Sequence, residues 1–380
     1  MGAHALLSPS SAHRWLNCTA APRLEALEPD KATDFALEGS LAHALGARKL
    51  KVMMGEDTAS EETEIAELRD RFYCGEMEEH TDFYFDLVNE RFAEARATTP
   101  DARLLIETRL DFSEYVPESF GTADAVIIAD GCMEVIDFKY GRGVEVHANH
   151  NPQMMIYALG AFEAFSFEYN IDRVRMTICQ PRKNNVSTWE IALDHLLAWA
   201  RDVLSPKARE AMSGEGAQAP GDWCQFCRVK GRCRALAAHC SSATLTDPAL
   251  LSPEEIAANV LPRLPMIKAW LSSVEEHTLQ QALNGVAYPG YKLVEGRSVR
   301  RVSDVAGLLA VLRKEGYPDA DLVKPTELRT LTELEKLCGR KHFAELSAPF
   351  ITKPAGKPTL VVATDRRPEW NSAAADFKDF

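Results

Sequence analysis

Runs of apolar and β-branched residues at Leu104–Phe112, Ala125–Ile128, Met133–Phe138, Val174–Gln180 and Val186–Ile191 predict five short strands. Around them, stretches at Ala12–Cys18, 34–50, 61–97, 152–167 and 194–212 read as helices. The acidic stretch 61–97 is expected to turn Phe72, Phe83, Phe85, Leu87, Val88 and Phe92 toward a core, and 152–167 to use Met155, Leu159 and Phe162 in the same way. Ser8-Pro9-Ser10-Ser11 reads as a helix start, with a hydroxyl cap and a proline in the first turn, bringing Trp15, Leu16 and Cys18 toward that core. The pattern is that of an α/β fold, a central mixed sheet flanked by helices. A polar linker at 241–252 divides a domain of residues 1–240 from a mostly helical module, 253–380. Helices are expected there at 253–283, 303–316 and 326–346, with a frayed end over the last twelve residues.

The chemistry concentrates between Gly121 and Tyr157. Asp130-Gly131 separates two strand-like runs and is a strong two-residue hairpin signal. With that pair in the turn, Ala129 faces Cys132, and counting outward sets Asp124 across from Asp137. Opposed residues have Cβ atoms only ~5 Å apart, so two carboxylates there call for a cation between them. Lys139 projects from the same face as Asp137, because side chains alternate along a strand. Two aspartates and a lysine then converge on one point. Hard carboxylate oxygens suit Mg²⁺ or Mn²⁺, and an ammonium beside such an ion can orient a water for attack on phosphorus. In the following helix Gln153 and Tyr157 share a face at i,i+4. Glu107, on the preceding strand, is either a support for the metal or a structural acid. His147 and His150 lie in the polar turn before Pro152.

Cysteine adds a second centre. Cys224-xx-Cys227-x₅-Cys233 sets three thiols within ten residues, a strong metal-ligand signal that is one short of four. Cys18 or Cys240 completes the set. Cys74, Cys132, Cys179 and Cys338 have no partner at ligand spacing.

Composition sets the outer bounds. With 46% hydrophobic and 26% charged residues in 380, the chain is long enough for more than one domain. It has no 18-residue apolar run and no leader pattern, so a cytoplasmic protein is expected, with its nine cysteines reduced. The net charge of −13 opposes nucleic-acid binding by the chain as a whole and leaves it to local patches. Candidates are Arg182 and Lys183; Arg228, Lys230, Arg232 and Arg234; and Arg297, Arg300 and Arg301, with Lys292 nearby.

The ordered set G-T-A-D-A, V-I-D-F-K-Y-G and Q-M-M-I-Y resembles the RecB-like branch of the PD-(D/E)xK nuclease superfamily, over roughly residues 8–240. The resemblance implies a restriction-endonuclease-like core and catalytic roles for Asp124, Asp137, Lys139, Gln153 and Tyr157. It extends to G-S-L-A-H, which is similar to that branch's G-xxx-H motif and makes His43 a third metal ligand beside Asp124 and Asp137. The Phe138 backbone carbonyl is implied as an additional ligand. Glu38 lies about 140° round the helix from His43 and is not expected to share the metal. The relatives that carry an iron–sulfur cluster, AddB-type and CRISPR-associated exonucleases, use one cysteine upstream of the nuclease motifs and three downstream. That implies a [4Fe–4S] cluster on Cys18, Cys224, Cys227 and Cys233, acting as a staple, with Zn²⁺ as the alternative. The whole chain also resembles an uncharacterised family carried by phages and prophages. The implied activity is exonucleolytic hydrolysis of DNA in a bacterial host cell, in recombination beside a single-strand annealing protein. A non-catalytic DNA-binding scaffold and a zinc-stabilised interaction module are the rival readings.

Overall fold

A computed structural model describes residues 5–28, 33–242, 253–295, 301–324, 327–328, 331–352, 358–362 and 368–370. Five strands form one sheet in the order β1-β2-β3-β4-β5: β1 (Arg103–Asp111), β2 (Phe120–Ile128), β3 (Gly131–Phe138), β4 (Ile171–Gln180) and β5 (Asn185–Ala192). All neighbours are antiparallel except β3 and β4. A parallel pair needs a crossover, which the helix between those two strands supplies.

Helices cover both faces. In chain order they are α1 (Ala12–Asn17), α2 (Ala21–Glu25), α3 (Asp34–Met54), α4 (Ala59–Phe72), α5 (Gly75–Thr98), α6 (Pro152–Phe165), α7 (Leu193–Trp199), α8 (Ser205–Ser213) and α9 (Arg234–Ser242). One hydrophobic cluster joins α1, α6, α7 and α8 to Val126, Ile128, Met133 and Val135. A second joins α3, α4 and α5 to Ala125, Ile127, Ile136 and Phe138. Being covered on both sides, β3 is buried along most of its length, whereas the outer strand β5 alternates half-buried with exposed.

The expected elements appear with shifted ends. The predicted 34–50 helix continues to Met54 and stops at Gly55, whose φ of +73° is the left-handed cap that favours glycine. The 194–212 helix contains a π turn at Ala200–Leu204. Stretch 61–97 divides at Tyr73 and Cys74 into α4 and α5. The buried stripe of α5 is Met77, Thr81, Tyr84, Val88 and Phe92, so Phe83 falls off it and is 47% exposed.

Close packing of α6 on the sheet rests on a glycine. A Cβ at Gly160 would stand 2.5 Å from the Phe112 ring and 3.1 Å from the Asp111 carbonyl. Gly160→Ala is therefore expected to cost about 1–3 kcal/mol of stability, as overpacking does, and to lower the chemical-denaturation midpoint without changing its slope.

The described residues fall into two compact units, Met1–Leu271 and Ser272–Phe380. In the second, Leu308, Leu312, Leu322, Leu334 and Phe343 form a small core. Alongside its helices it has three short antiparallel pairs, of which Tyr291–Glu295 with Pro358–Val362 is the longest. The expectation of a mostly helical module did not include these pairs, the longest of which joins strands over sixty residues apart that leave no local signal. The expected linker lies outside the described residues from 243 on, as does the frayed end from 371. No described helix is long and apolar enough to cross a membrane.

Candidate active site and cysteine centre

The hairpin register is the one the turn predicts. Ala125 pairs with Ile136 and Ile128 with Met133, and Gly131 takes a φ of +77° at the turn. The same register continued by one residue opposes Asp124 to Asp137. There the ladder has ended: the Phe138 N–H donates to Asp124 Oδ2 at 2.6 Å. Between β1 and β2 the pairing runs through Ile106 with Ala125 and resumes at Thr108 with Ala123, omitting Glu107 and Asp124. Glu107 has a φ of +45°, a strained conformation for a non-glycine inside a strand. Three carboxylates, Glu107, Asp124 and Asp137, thus occupy one rung across three strands where the ladder is interrupted.

Two cationic side chains meet that rung. From α3, His43 Nδ1 lies 3.3 Å from Asp124 Oδ1 and 4.0 Å from Glu107 Oε1. Lys139 Nζ lies 3.0 and 2.9 Å from the two oxygens of Asp137. Gln153, at the start of α6, donates to Asp137 Oδ1 at 3.0 Å and accepts from Lys139 at 3.3 Å. Asn151 caps α6 by accepting from the Gln153 and Met154 amides, which fixes the helix end that carries this glutamine.

The electrostatics follow from burial. Desolvation disfavours charge on His43, yet the Asp124 carboxylate and Glu107 outweigh it and raise the imidazole to about 9. Burial, together with the Asp124 charge, pushes Glu107 up to about 8. Asp137 is raised, chiefly by burial, against the pull of Lys139. Asp124 is lowered despite its burial, because His43, Lys139 and the Phe138 amide all favour its charged form. Lys139 is raised, its burial outweighed by Asp137 and Asp124. The protonated imidazole and the ammonium act as the cations that keep these carboxylates together.

The donor set also fits a divalent ion. His43, Glu107 and Asp124 each offer one ligand atom, all within 4.8 Å of one another. The His43 Nδ1 separations of 3.3 Å from Asp124 and 4.0 Å from Glu107 fall within the ~4.2 Å between opposite ligands of an octahedral Mg²⁺ with ~2.1 Å bonds. The trio differs by one member from the sequence expectation. Glu107 joins His43 and Asp124, while Asp137 is engaged by Lys139 and Gln153. Glu107, by sequence either a support for the metal or a structural acid, is brought beside His43 and Asp124 by the β1–β2 register. Tyr157, expected to share a catalytic face with Gln153, is buried. Its ring lies 5.8 Å from that of Phe112, and burial first, then Asp137, raises its hydroxyl.

The other expected contacts divide. Arg182 is held by Glu38 at 2.9 Å and stacks 4.5 Å from the centre of the Tyr140 ring, with 10% of its side chain exposed, so it is no free surface cation. Lys183 stands half-buried in the same turn. His150 packs on Trp189 at 4.4 Å. Arg297 and Arg300 lie outside the described residues, and Arg301 is placed only by its backbone, paired with Thr352.

Cys18, Cys224, Cys227 and Cys233 line one small cavity, together with Arg14, Leu24, Trp223 and Leu236. Cys18 follows directly on α1, and the other three sit on two short turns before α9. Cys240 is buried against Cys224 and Leu236 and is not part of the cavity wall. The Gly221 N–H points at Cys224 Sγ from 3.5 Å. Burial raises the thiol of Cys224 and pushes that of Cys227 up to about 12. Such thiols ionise readily only with a metal to accept them. Hydrogen bonds also join the two ends of the domain: the Ala217 N–H donates to Thr19 Oγ1 at 3.0 Å, and Thr19 Oγ1 to Glu210 at 2.8 Å.

Among solved structures, a candidate exonuclease from Eubacterium rectale matches 67% of this chain and 93% of its own, at 9% identity and a TM-score of 0.33. The protein SSO0001 matches 59% of this chain and 96% of its own, at 15% identity and a TM-score of 0.23. Both likenesses are too distant to carry an activity across. The family comparison is of a different order, spanning residues 4–368 of 380: the chain belongs to the family described as Protein of unknown function (DUF2800).

Proposed function

We infer that this protein is a metal-dependent nuclease of the PD-(D/E)xK type, hydrolysing phosphodiester bonds in DNA and acting from ends. The observation that carries the reading is the interrupted rung: Glu107, Asp124 and Asp137 side by side, with His43 and Lys139 supplying positive charge. His43, Glu107 and Asp124 are the proposed ligands for Mg²⁺ or Mn²⁺. Asp137 is a further one once Lys139 and Gln153 shift, and the Phe138 carbonyl is another by family analogy. When bound, the ion would polarise a phosphate and lower the pKa of an attacking water. Lys139, held by Asp137, is placed to orient that water or offset charge on phosphorus. Gln153 fixes both partners of the pair. Gln153→Ala is expected to lower kcat by about tenfold with KM little changed, as read from steady-state cleavage of a linear substrate.

For the cysteine centre the proposal is a [4Fe–4S] cluster on Cys18, Cys224, Cys227 and Cys233. Their common cavity, which Cys240 does not line, supports Cys18 as fourth ligand over a local Cys₄ zinc site. A setting in phage recombination, beside a single-strand annealing protein, rests on the sequence resemblance alone. The test is anaerobic purification and incubation with end-labelled linear and circular DNA in Mg²⁺, in Mn²⁺ and in EDTA. Metal-dependent loss of linear DNA with circles spared is expected. Folded, brown protein that cuts neither form in any condition overturns the nuclease reading and leaves a scaffold.

A further inference from the structure

The interrupted rung also changes which way β1 and β2 face. On one side of the break, Ile106 and Ala125 belong to the core on the α3, α4 and α5 face. Regular alternation would keep Leu110 and Ala123 on that face, since each is an even number of residues away. Both belong instead to the core on the α6 face. The reversal falls at Asp124 and at Glu107, with its φ of +45°, the two residues that the ladder omits. Backbone strain is thus held at the point where the alternation turns over.

The consequence is an open strip beside the proposed metal ligands. Arg109 and Thr122 pair across β1 and β2, two residues on from Glu107 and Asp124 and ~6.7 Å along the strands. With Leu110 and Ala123 turned to α6, these two project to the other face, from which α3 brings His43. Both are exposed. The Arg109 guanidinium lies 4.0 Å from the centre of the half-buried Phe120 ring, which fixes its plane. Among the described residues Arg109 forms no ion pair. The acid two residues along, Asp111, is engaged by the Ser113 amide at 2.7 Å.

We propose that Arg109, with Thr122 opposite it, binds a phosphate of the substrate DNA next to the one that is hydrolysed. A guanidinium held flat on a ring and free of carboxylates presents its fork to an incoming anion, and phosphate matches that fork bidentately. The offset of two strand residues suits one nucleotide step along an extended backbone, so the rung and the guanidinium meet successive phosphates. At a site holding Glu107, Asp124 and Asp137, in a chain of net charge −13, a cation outside the rung offsets the repulsion of an approaching phosphodiester. The inference rests on the nuclease reading for its substrate, and its test reads binding separately from cleavage.

Binding is measured by fluorescence anisotropy on the full chain in EDTA, with a labelled blunt DNA duplex as probe. In further probes each phosphate near the ends of both strands is replaced in turn by a neutral methylphosphonate, and circular dichroism shows that each variant is folded. Arg109→Ala is expected to weaken binding about tenfold, the size of one hydrogen-bonded contact to a charged group. It should also lower the slope of log affinity against log salt by about 0.9. At one position the methylphosphonate is expected to cost the native chain that same factor and to cost Arg109→Ala nothing, which identifies the phosphate contacted. In steady-state cleavage in Mg²⁺ the variant raises KM about tenfold and leaves kcat within about threefold, because a phosphate that does not react is held alike before and during the reaction. Unchanged affinity and salt slope in Arg109→Ala overturn the inference. So does a loss that simply adds to that of every methylphosphonate, which reduces Arg109 to a part of the general field. A native protein that binds through Arg109 and cuts nothing removes only the nuclease reading, whereas one that cuts with native KM in Arg109→Ala removes only this contact.

Discussion

Asp124→Asn is expected to abolish metal-dependent cleavage, lowering kcat by about 10³ or more, because Asp124 ties the end of β3 to His43 and its charge acts on Lys139. It accepts from the Phe138 amide, pairs with His43 at 3.3 Å and helps to hold Lys139 charged. Asparagine keeps a carbonyl for the Phe138 N–H, so the strand end should stay in place while the charge that draws a cation is lost. Lys139→Ala is expected to fall by about 10²–10³, the usual size of one preorganised electrostatic group. Its loss leaves Asp137 buried without its ammonium, a second cost that shows as lower stability. The measurement is the rate of loss of end-labelled linear DNA in Mg²⁺ and Mn²⁺, with circular dichroism to show that each variant is folded. Cleavage persisting at native rates in both variants would place the site elsewhere. Glu107→Gln separates the two ligand sets. A loss as large as that of Asp124→Asn identifies His43, Glu107 and Asp124 as the metal-binding group, while a small one returns Asp137 to that role.

Cys18→Ser is expected to yield colourless protein that has lost its iron and melts about 10 °C or more below the native chain. Thiolate–metal bonds contribute many kcal/mol to folding in small metal centres, and each kcal/mol shifts Tm by ~2–4 °C at this size. The shift should be smaller than in a protein closed only by its cluster, because Thr19, Ala217 and Glu210 hydrogen-bond the same two ends together. Cys240→Ser is the control. It sits in the hydrophobic cluster beside Cys224 but off the cavity, and should keep both colour and iron. The reverse pattern, zinc lost from Cys240→Ser and nothing lost from Cys18→Ser, would make the centre a local zinc site. Thermal melts with iron and zinc analysis on the two variants decide between them.

The parts of this protein that were legible in its sequence are those fixed by neighbours along the chain. Asp130-Gly131 sets the hairpin turn, the turn sets the register, and strand alternation then puts Asp124, Asp137 and Lys139 together, because a one-residue slip would reverse every side chain. The i,i+4 spacing of Gln153 and Tyr157 was equally local. It gave the helix face, though not that Tyr157 would be sealed behind Phe112 and Gly121. Tertiary structure decided what depends on separate elements meeting. Glu107 stands beside His43 and Asp124 only because β1 pairs with β2 and α3 lays His43 over both. Arg182, a surface cation by sequence, is occupied by Glu38 from 144 residues away. Cys18 and Cys240 were both open as the fourth thiol by spacing, and Cys18 shares a cavity with the other three only because its helix meets turns more than two hundred positions later. Local sequence can specify a turn and a period, but not which distant surface covers a face, since that is set by the burial of the whole core at once.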